Sequence, residues 1–168
     1  MSLEKLRKSF LISVAALTVL GIIVITILLL GPKNPLPSTV RKQANFVILA
    51  PVSGPVKVDR ESAKYDTALK LLSYKSMFNG VKIVVSEQST PDSFIDIPQV
   101  YDKVVANMQE YSKFDVIAGT VHLTRPKDLG GKQAAVINTK GTLLFAKPTS
   151  DLSNDQWRLF FKSVDTLR

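Results

Sequence analysis

The chain has 168 residues, with 22 Lys+Arg against 14 Asp+Glu, a single His and no Cys. One compact domain plus a short extra segment fits that length, and two ordinary domains do not. Without cysteine, a disulfide framework and Cys-based zinc or iron–sulfur sites are excluded, and a hydrophobic fraction of 45% argues against wholesale disorder.

Phe10 to Leu30 (FLISVAALTVLGIIVITILLL) is a run of 21 residues without a charge. As a helix it spans ~32 Å, enough to cross a hydrocarbon core of roughly 30 Å. A buried core helix is rarely apolar on every face over such a length, so a transmembrane helix is expected. The run exceeds a signal-peptide core, and no A-x-A cleavage site follows it. Lipoprotein processing lacks its Cys, and a pilin-like start lacks its acidic residue. Lys5, Arg7 and Lys8 lie close before the span, whereas Lys33, Arg41 and Lys42 are spread out after it. That bias puts the N-terminus in the cytoplasm and the C-terminal part outside the plasma membrane. The expected organisation is a cytoplasmic tail (1–9), a single transmembrane helix (10–30), a proline-rich linker (31–43) and an extracytoplasmic α+β domain (44–168). Pro32, Pro35 and Pro37 make the linker a short stiff spacer.

Within the domain, Asn45–Leu49 reads as a strand stopped by Pro51, and Val56–Val58 as a second, short one. The segment Lys64–Met77 fits either a helical face or an alternating strand; a strand over Ala68–Ser76 is favoured. Asn79-Gly80 then joins it to an alternating run, Val81–Ser86, which is a hairpin signal. Asp96 and Gln99 have the spacing of a capping box, and Tyr101, Val104, Val105, Met108 and Tyr111 form one stripe. They predict an amphipathic helix over Ile97–Ser112. Asp115–Leu123 reads as one strand, with Ile117, Gly119, Val121 and Leu123 on a shared face and His122 on the wetter one. Ala134–Ile137 and Thr142–Ala146 are strands around the turn Asn138–Gly141. Ser153 and Gln156 form a second capping box, followed by an apolar stripe of Trp157, Phe160, Phe161, Val164 and Leu167. The predicted fold class is α+β: an antiparallel sheet with two amphipathic helices packed on one face.

Four segments carry a resemblance: PLPSTVRKQANF (35–46), VKIVVSEQSTP (81–91), AGTVHL (118–123) and AAVINTKGTLLFAKP (134–148). On these the chain resembles small single-anchor extracytoplasmic proteins of candidate-phyla bacteria of the saccharibacterial type. The resemblance implies a membrane helix followed by an extracytoplasmic sheet-and-helix domain. It implies neither an activity nor functional residues. The layout is also loosely similar to periplasmic lipoprotein-carrier-like domains, although the chain is short for a complete half-barrel.

Chemistry is sparse. His122 is the lone histidine, and Asp115 and Asp128 are near it in sequence only. Gly130-Gly131 lacks a following helix and so is a turn, not a phosphate cradle. Ser73 and Lys75 share a strand face but lack a supporting hydrolase motif, and no G-x-S-x-G, H-E-x-x-H or P-loop pattern occurs. Catalytic, cofactor and metal residues are therefore not assigned, and an enzyme is not expected. Residues 32–168 hold 19 basic and 13 acidic side chains. They are scattered without interleaved aromatics, which argues against nucleic acid and for a solvated surface facing anionic lipid or wall polymer. Two functions are expected: a displayed domain that binds an envelope protein or wall component, and, alternatively, a carrier of a lipid or small apolar ligand. The first predicts an exposed apolar patch or sheet edge, the second a cavity between sheet and helices.

Overall fold

The computed structural model describes residues 34–167; the expected tail, membrane helix and residues 31–33 lie outside the described residues. The chain from Asn34 onward forms one compact unit. Helix α1 (Ser38–Arg41) leads into strand β1 (Leu49–Pro51), and β2 (Lys57–Asp66), β3 (Leu71–Phe78) and β4 (Val81–Ser89) follow. Helices α2 (Asp92–Asp96) and α3 (Pro98–Asn107) precede β5 (Glu110–Val116) and β6 (Gly119–Thr124). A 3₁₀ turn (Lys127–Leu129) leads to β7 (Ala134–Thr139) and β8 (Thr142–Pro148), and α4 (Asn154–Lys162) and β9 (Val164–Thr166) complete the unit.

The main sheet has seven strands in the order β2-β3-β4-β8-β7-β6-β5, and β1 pairs separately with β9. Every pairing is antiparallel. The architecture is thus two meanders, β2–β4 and β5–β8, joined edge to edge by the β4–β8 pair. The expected α+β class with an antiparallel sheet is what the structure shows.

Hairpin chemistry sets the registers. Asn79 and Gly80 both have positive φ, 48° and 78°, as a two-residue turn with the twist of its flanking strands requires. Lys140 and Gly141 repeat that conformation at 51° and 77°, so the β7–β8 turn is two residues long and its strands run to Thr139 and from Thr142. At the β2–β3 turn, Asp66 Oδ1 accepts from the Ala68 and Leu69 amides at 2.9 Å each. This local bonding makes Thr67–Lys70 a turn, so the strand expected from Ala68 begins instead at Leu71. The short strand expected at Val56–Val58 is a ten-residue edge strand. Its charged outer positions hide the pattern, and its register shifts between Asp59 and Lys64. There the Ser62 hydroxyl accepts the Lys75 amide at 2.8 Å and keeps that donor paired.

Three other expectations are corrected. The predicted helix Ile97–Ser112 ends at Asn107, because Gln109 turns left-handed (φ 57°) and Glu110 opens β5. Tyr111 continued the helical stripe by coincidence of spacing. Asp96 does not cap that helix: it closes α2, and Ile97 is the N-cap without a side-chain bond. The single strand Asp115–Leu123 is a hairpin, β5 and β6, whose period-2 pattern runs unbroken across a two-residue turn. Ile117 sits at its tip, 94% exposed, not on the face of Val121.

The helices also lie on opposite faces of the sheet rather than on one. Neighbouring residues of β6 point to opposite sides. Phe114, paired with Val121, meets the Phe161 ring of α4 at 6.4 Å, whereas His122 meets the Tyr101 ring of α3 at 5.6 Å. The α4 face carries the main core: Trp157, Phe160 and Phe161 pack on Leu72, Val85, Val121, Ile137 and Leu144. The capping box of α4 forms as predicted, with Gln156 N on Ser153 Oγ and Ser153 N on Gln156 Oε1. Val164 and Leu167 lie beyond the helix, since Lys162 is its last residue and Val164 starts β9. The expected linker is not a free spacer throughout: Leu36 is fully buried in the core.

Candidate functional site

On the α3 face the helix covers one end of the sheet and leaves β4 and β8 open. A groove of about 390 Å³ runs between the end of α3 and the 3₁₀ turn, lined by Ser86, Met108, Leu129, Ala134, Phe145 and Lys147 among others. It adjoins a second groove of about 370 Å³, which shares Leu129 and Lys147 and adds Val84 and Lys132. The floor is apolar because Val84, Phe145 and Ala134 alternate outward on strands whose opposite parity fills the core.

The rim is cationic for the same reason. Val84 pairs with Lys75 on β3 and with Lys147 on β8, and Lys82 lies two residues along its own strand. Directly paired residues share a face, so three of the four same-face neighbours of Val84 are lysines and the fourth is Ser86. Lys75, Lys82, Lys132 and Lys147 are all exposed, and none of them forms an ion pair within the described residues. Lys75 and Lys147 are two strand spacings apart, ~10 Å; in water such a pair repels by ~0.4 kcal/mol. The cost is small, and Asp59 opposite Lys75 offsets part of it. The acidic groups nearby are Asp59, opposite Lys75, and Asp128 on the groove wall.

Among the described residues the core face holds a buried carboxyl that composition and motifs did not reveal. Glu87 is fully buried. Its Oε2 accepts the Leu49 amide at 2.9 Å, and its Oε1 has no hydrogen-bond partner. Tyr74 lies beside it and donates its hydroxyl to the Leu49 carbonyl at 2.9 Å. The Thr142 hydroxyl donates to the Val47 carbonyl. Side chains therefore take up backbone groups of Leu49, the first residue of β1, and of Val47 just before it. Burial pushes the Glu87 carboxyl up to about 8, against the smaller opposing pull of the Leu49 amide and the Tyr74 hydroxyl. Burial also raises Tyr74, with the nearby Glu87 adding to the effect. Both groups are neutral at pH 7, and their arrangement positions a strand; neither reaches a groove.

The residues weighed from sequence are dispersed. His122 Nδ1 is 3.1 Å from Glu110 Oε1 under the Tyr101 ring. Asp115 accepts the Thr120 hydroxyl at 2.7 Å, and Asp128 sits on the groove wall. No three His, Asp or Glu side chains come together among the described residues. Gly130 and Gly131 donate their amides to Lys127 and Pro126 carbonyls, so those donors do not face a ligand. Ser73 and Lys75 do share a face, the one that carries the groove. Gln133, which no motif marks, is buried and bonds Tyr111, the Leu152 amide and carbonyl, and the Trp157 indole. It fastens the start of α4 to β7.

No family model matches this chain, and neither a curated protein nor a solved structure matches it.

Proposed function

We propose that this is a single-pass plasma-membrane protein that displays its α+β domain outside the cell to bind another component of the envelope, without catalytic chemistry of its own. The open groove carries this reading: it joins an apolar floor to unpaired lysines on the face that the core does not use. The uncharged run Phe10–Leu30 supports the anchor, and the placement of Lys5, Arg7 and Lys8 supports the orientation. Among the described residues no helix is long and apolar enough to cross a membrane; in this reading the anchor is the 10–30 segment.

A carrier would need space between the sheet and its helices; on the α3 face the open groove is the space available, and an enclosed site would have to lie between the sheet and α4. Rings fill that space: Phe160 meets Phe161 at 5.2 Å and Trp157 at 5.9 Å, and Phe78 closes on Phe160 at 6.1 Å. This supports display over carriage in the core. Protease added to intact cells tests the topology, and the domain should be degraded while cytoplasmic proteins survive. A domain spared until the cells are lysed refutes the reading.

A further inference from the structure

Resting on that reading, we propose that the lysine-rimmed groove is a site for the anionic phospholipid headgroups of a membrane surface, with Lys75, Lys82, Lys132 and Lys147 taking the phosphate and the apolar floor meeting the first acyl methylenes. The lysines surround Val84 on three sides, and Lys132 faces it from the loop after the 3₁₀ turn. A phosphate above Val84 is therefore met by several ammonium groups, none of which is in an ion pair among the described residues, with Asp59 opposite Lys75 and Asp128 on the groove wall as the acidic neighbours. From that point the groove continues past Leu129 to Phe145, Ala134 and Met108. Such a sequence, cations first and apolar surface beyond, is that of an amphiphile with a negative head. A soluble polyanion would gain nothing from the floor.

Chain length favours the membrane as the source. Leu36 is in the core, and Leu30 is the last residue of the uncharged run. Six Cα steps separate them, a reach of roughly 20 Å. If residues 10–30 span a bilayer, the domain never leaves the neighbourhood of its headgroups, and lipid is present there at high effective concentration.

Flotation tests this. Residues 34–168, a compact unit that contains the core and every strand pairing of the described residues, are mixed with vesicles of phosphatidylcholine alone or of phosphatidylcholine with an equal amount of phosphatidylglycerol. The domain should float with the anionic vesicles only. Lys75→Glu with Lys147→Glu should abolish flotation; neutral replacements by Gln should weaken binding roughly fivefold per lysine. Leu129→Asp should weaken binding with all four lysines intact. The control reversals Arg158→Glu and Lys162→Glu, both exposed on α4 and so on the opposite face of the sheet, should leave flotation intact. Circular dichroism of each variant separates lost binding from lost fold. Equal weakening by the control pair would reduce the effect to diffuse charge and overturn the proposal. So would full competition by soluble polyphosphate at the same phosphate concentration, which would make the groove a polyanion site. Absent flotation, with the domain still protease-sensitive on intact cells, would overturn lipid binding alone and leave the display reading standing.

Discussion

Glu87→Gln should stabilise the domain, and by an amount that depends on pH. In the folded state burial raises this carboxyl from its ordinary value near 4.5 to about 8. Between those values the folded chain holds a proton that the unfolded chain has released. The contribution is thus fully present below about pH 4.5 and lost as pH rises through about 8. Each unit costs about 1.4 kcal/mol, which gives ~3 kcal/mol at pH 7 and ~5 kcal/mol above pH 9 as upper figures. Glutamine has nearly the same shape, does not titrate, and can still accept the Leu49 amide through its carbonyl oxygen. Urea unfolding of residues 34–168 at pH 5, 7 and 9 measures the difference. The variant should lie within about 1 kcal/mol of the parent at pH 5, exceed it clearly at pH 7 and exceed it most at pH 9, with an unchanged m-value. Parallel pH dependence in the two proteins would refute the assignment, because the titration would then reside elsewhere.

Four further substitutions probe the packing. Gln133→Leu leaves the Leu152 amide and carbonyl and the Trp157 indole without a buried partner, so a loss of roughly 2–4 kcal/mol is expected in the same urea assay. Phe160→Ala empties a position where three other aromatic rings meet and should cost about 3–5 kcal/mol. The adjacent Leu159→Ala, half exposed on the same helix, should cost less than about 1 kcal/mol; similar losses for both would contradict the placement of α4. Ser153→Ala removes the capping bond to Gln156 N and should lower stability by ~1 kcal/mol, seen as a thermal shift of a few degrees.

Much of the architecture was legible wherever one local rule acted alone. Asn79-Gly80 gave the β3–β4 turn and its register, and Ser153 with Gln156 gave the start of α4. The errors lie where a periodic pattern ran on through a break. Tyr111 falls at helical spacing from Met108, yet Gln109 turns the chain and Tyr111 belongs to a strand. Ile117 keeps the alternation of β6 while occupying a turn. The side on which each helix packs was not legible, because amphipathic stripes say that a face is buried and not which sheet face buries it.

The sites divide in the same way. Glu87 shares the parity of Ile83 and Val85, so alternation alone puts a carboxyl on the apolar face of β4. Lys75 opposite Val84 also follows from the two-residue turn at Asn79-Gly80. Lys147 joins them only through the β4–β8 pairing, which links segments more than fifty residues apart. A charge surface assembled from distant strands looks like scattered lysines when read along the chain.

The pairing of β1 with β9 has a consequence in time. Leu49 lies opposite Thr166, and Pro51 opposite Val164. The seven-stranded sheet can form from residues already synthesised, but the seam that closes over the core needs the segment made last in this unit. At about 5–20 residues per second, the first half-dozen strands wait several seconds before β1 gains its backbone partner. During that interval Glu87, Tyr74 and Thr142 offer β1 a provisional hold, side chain to main chain, in place of a strand not yet present. After synthesis, a pull transmitted through residue 34 meets the buried Leu36 first and this short seam next, so the place where the domain is completed is also among the first to bear force.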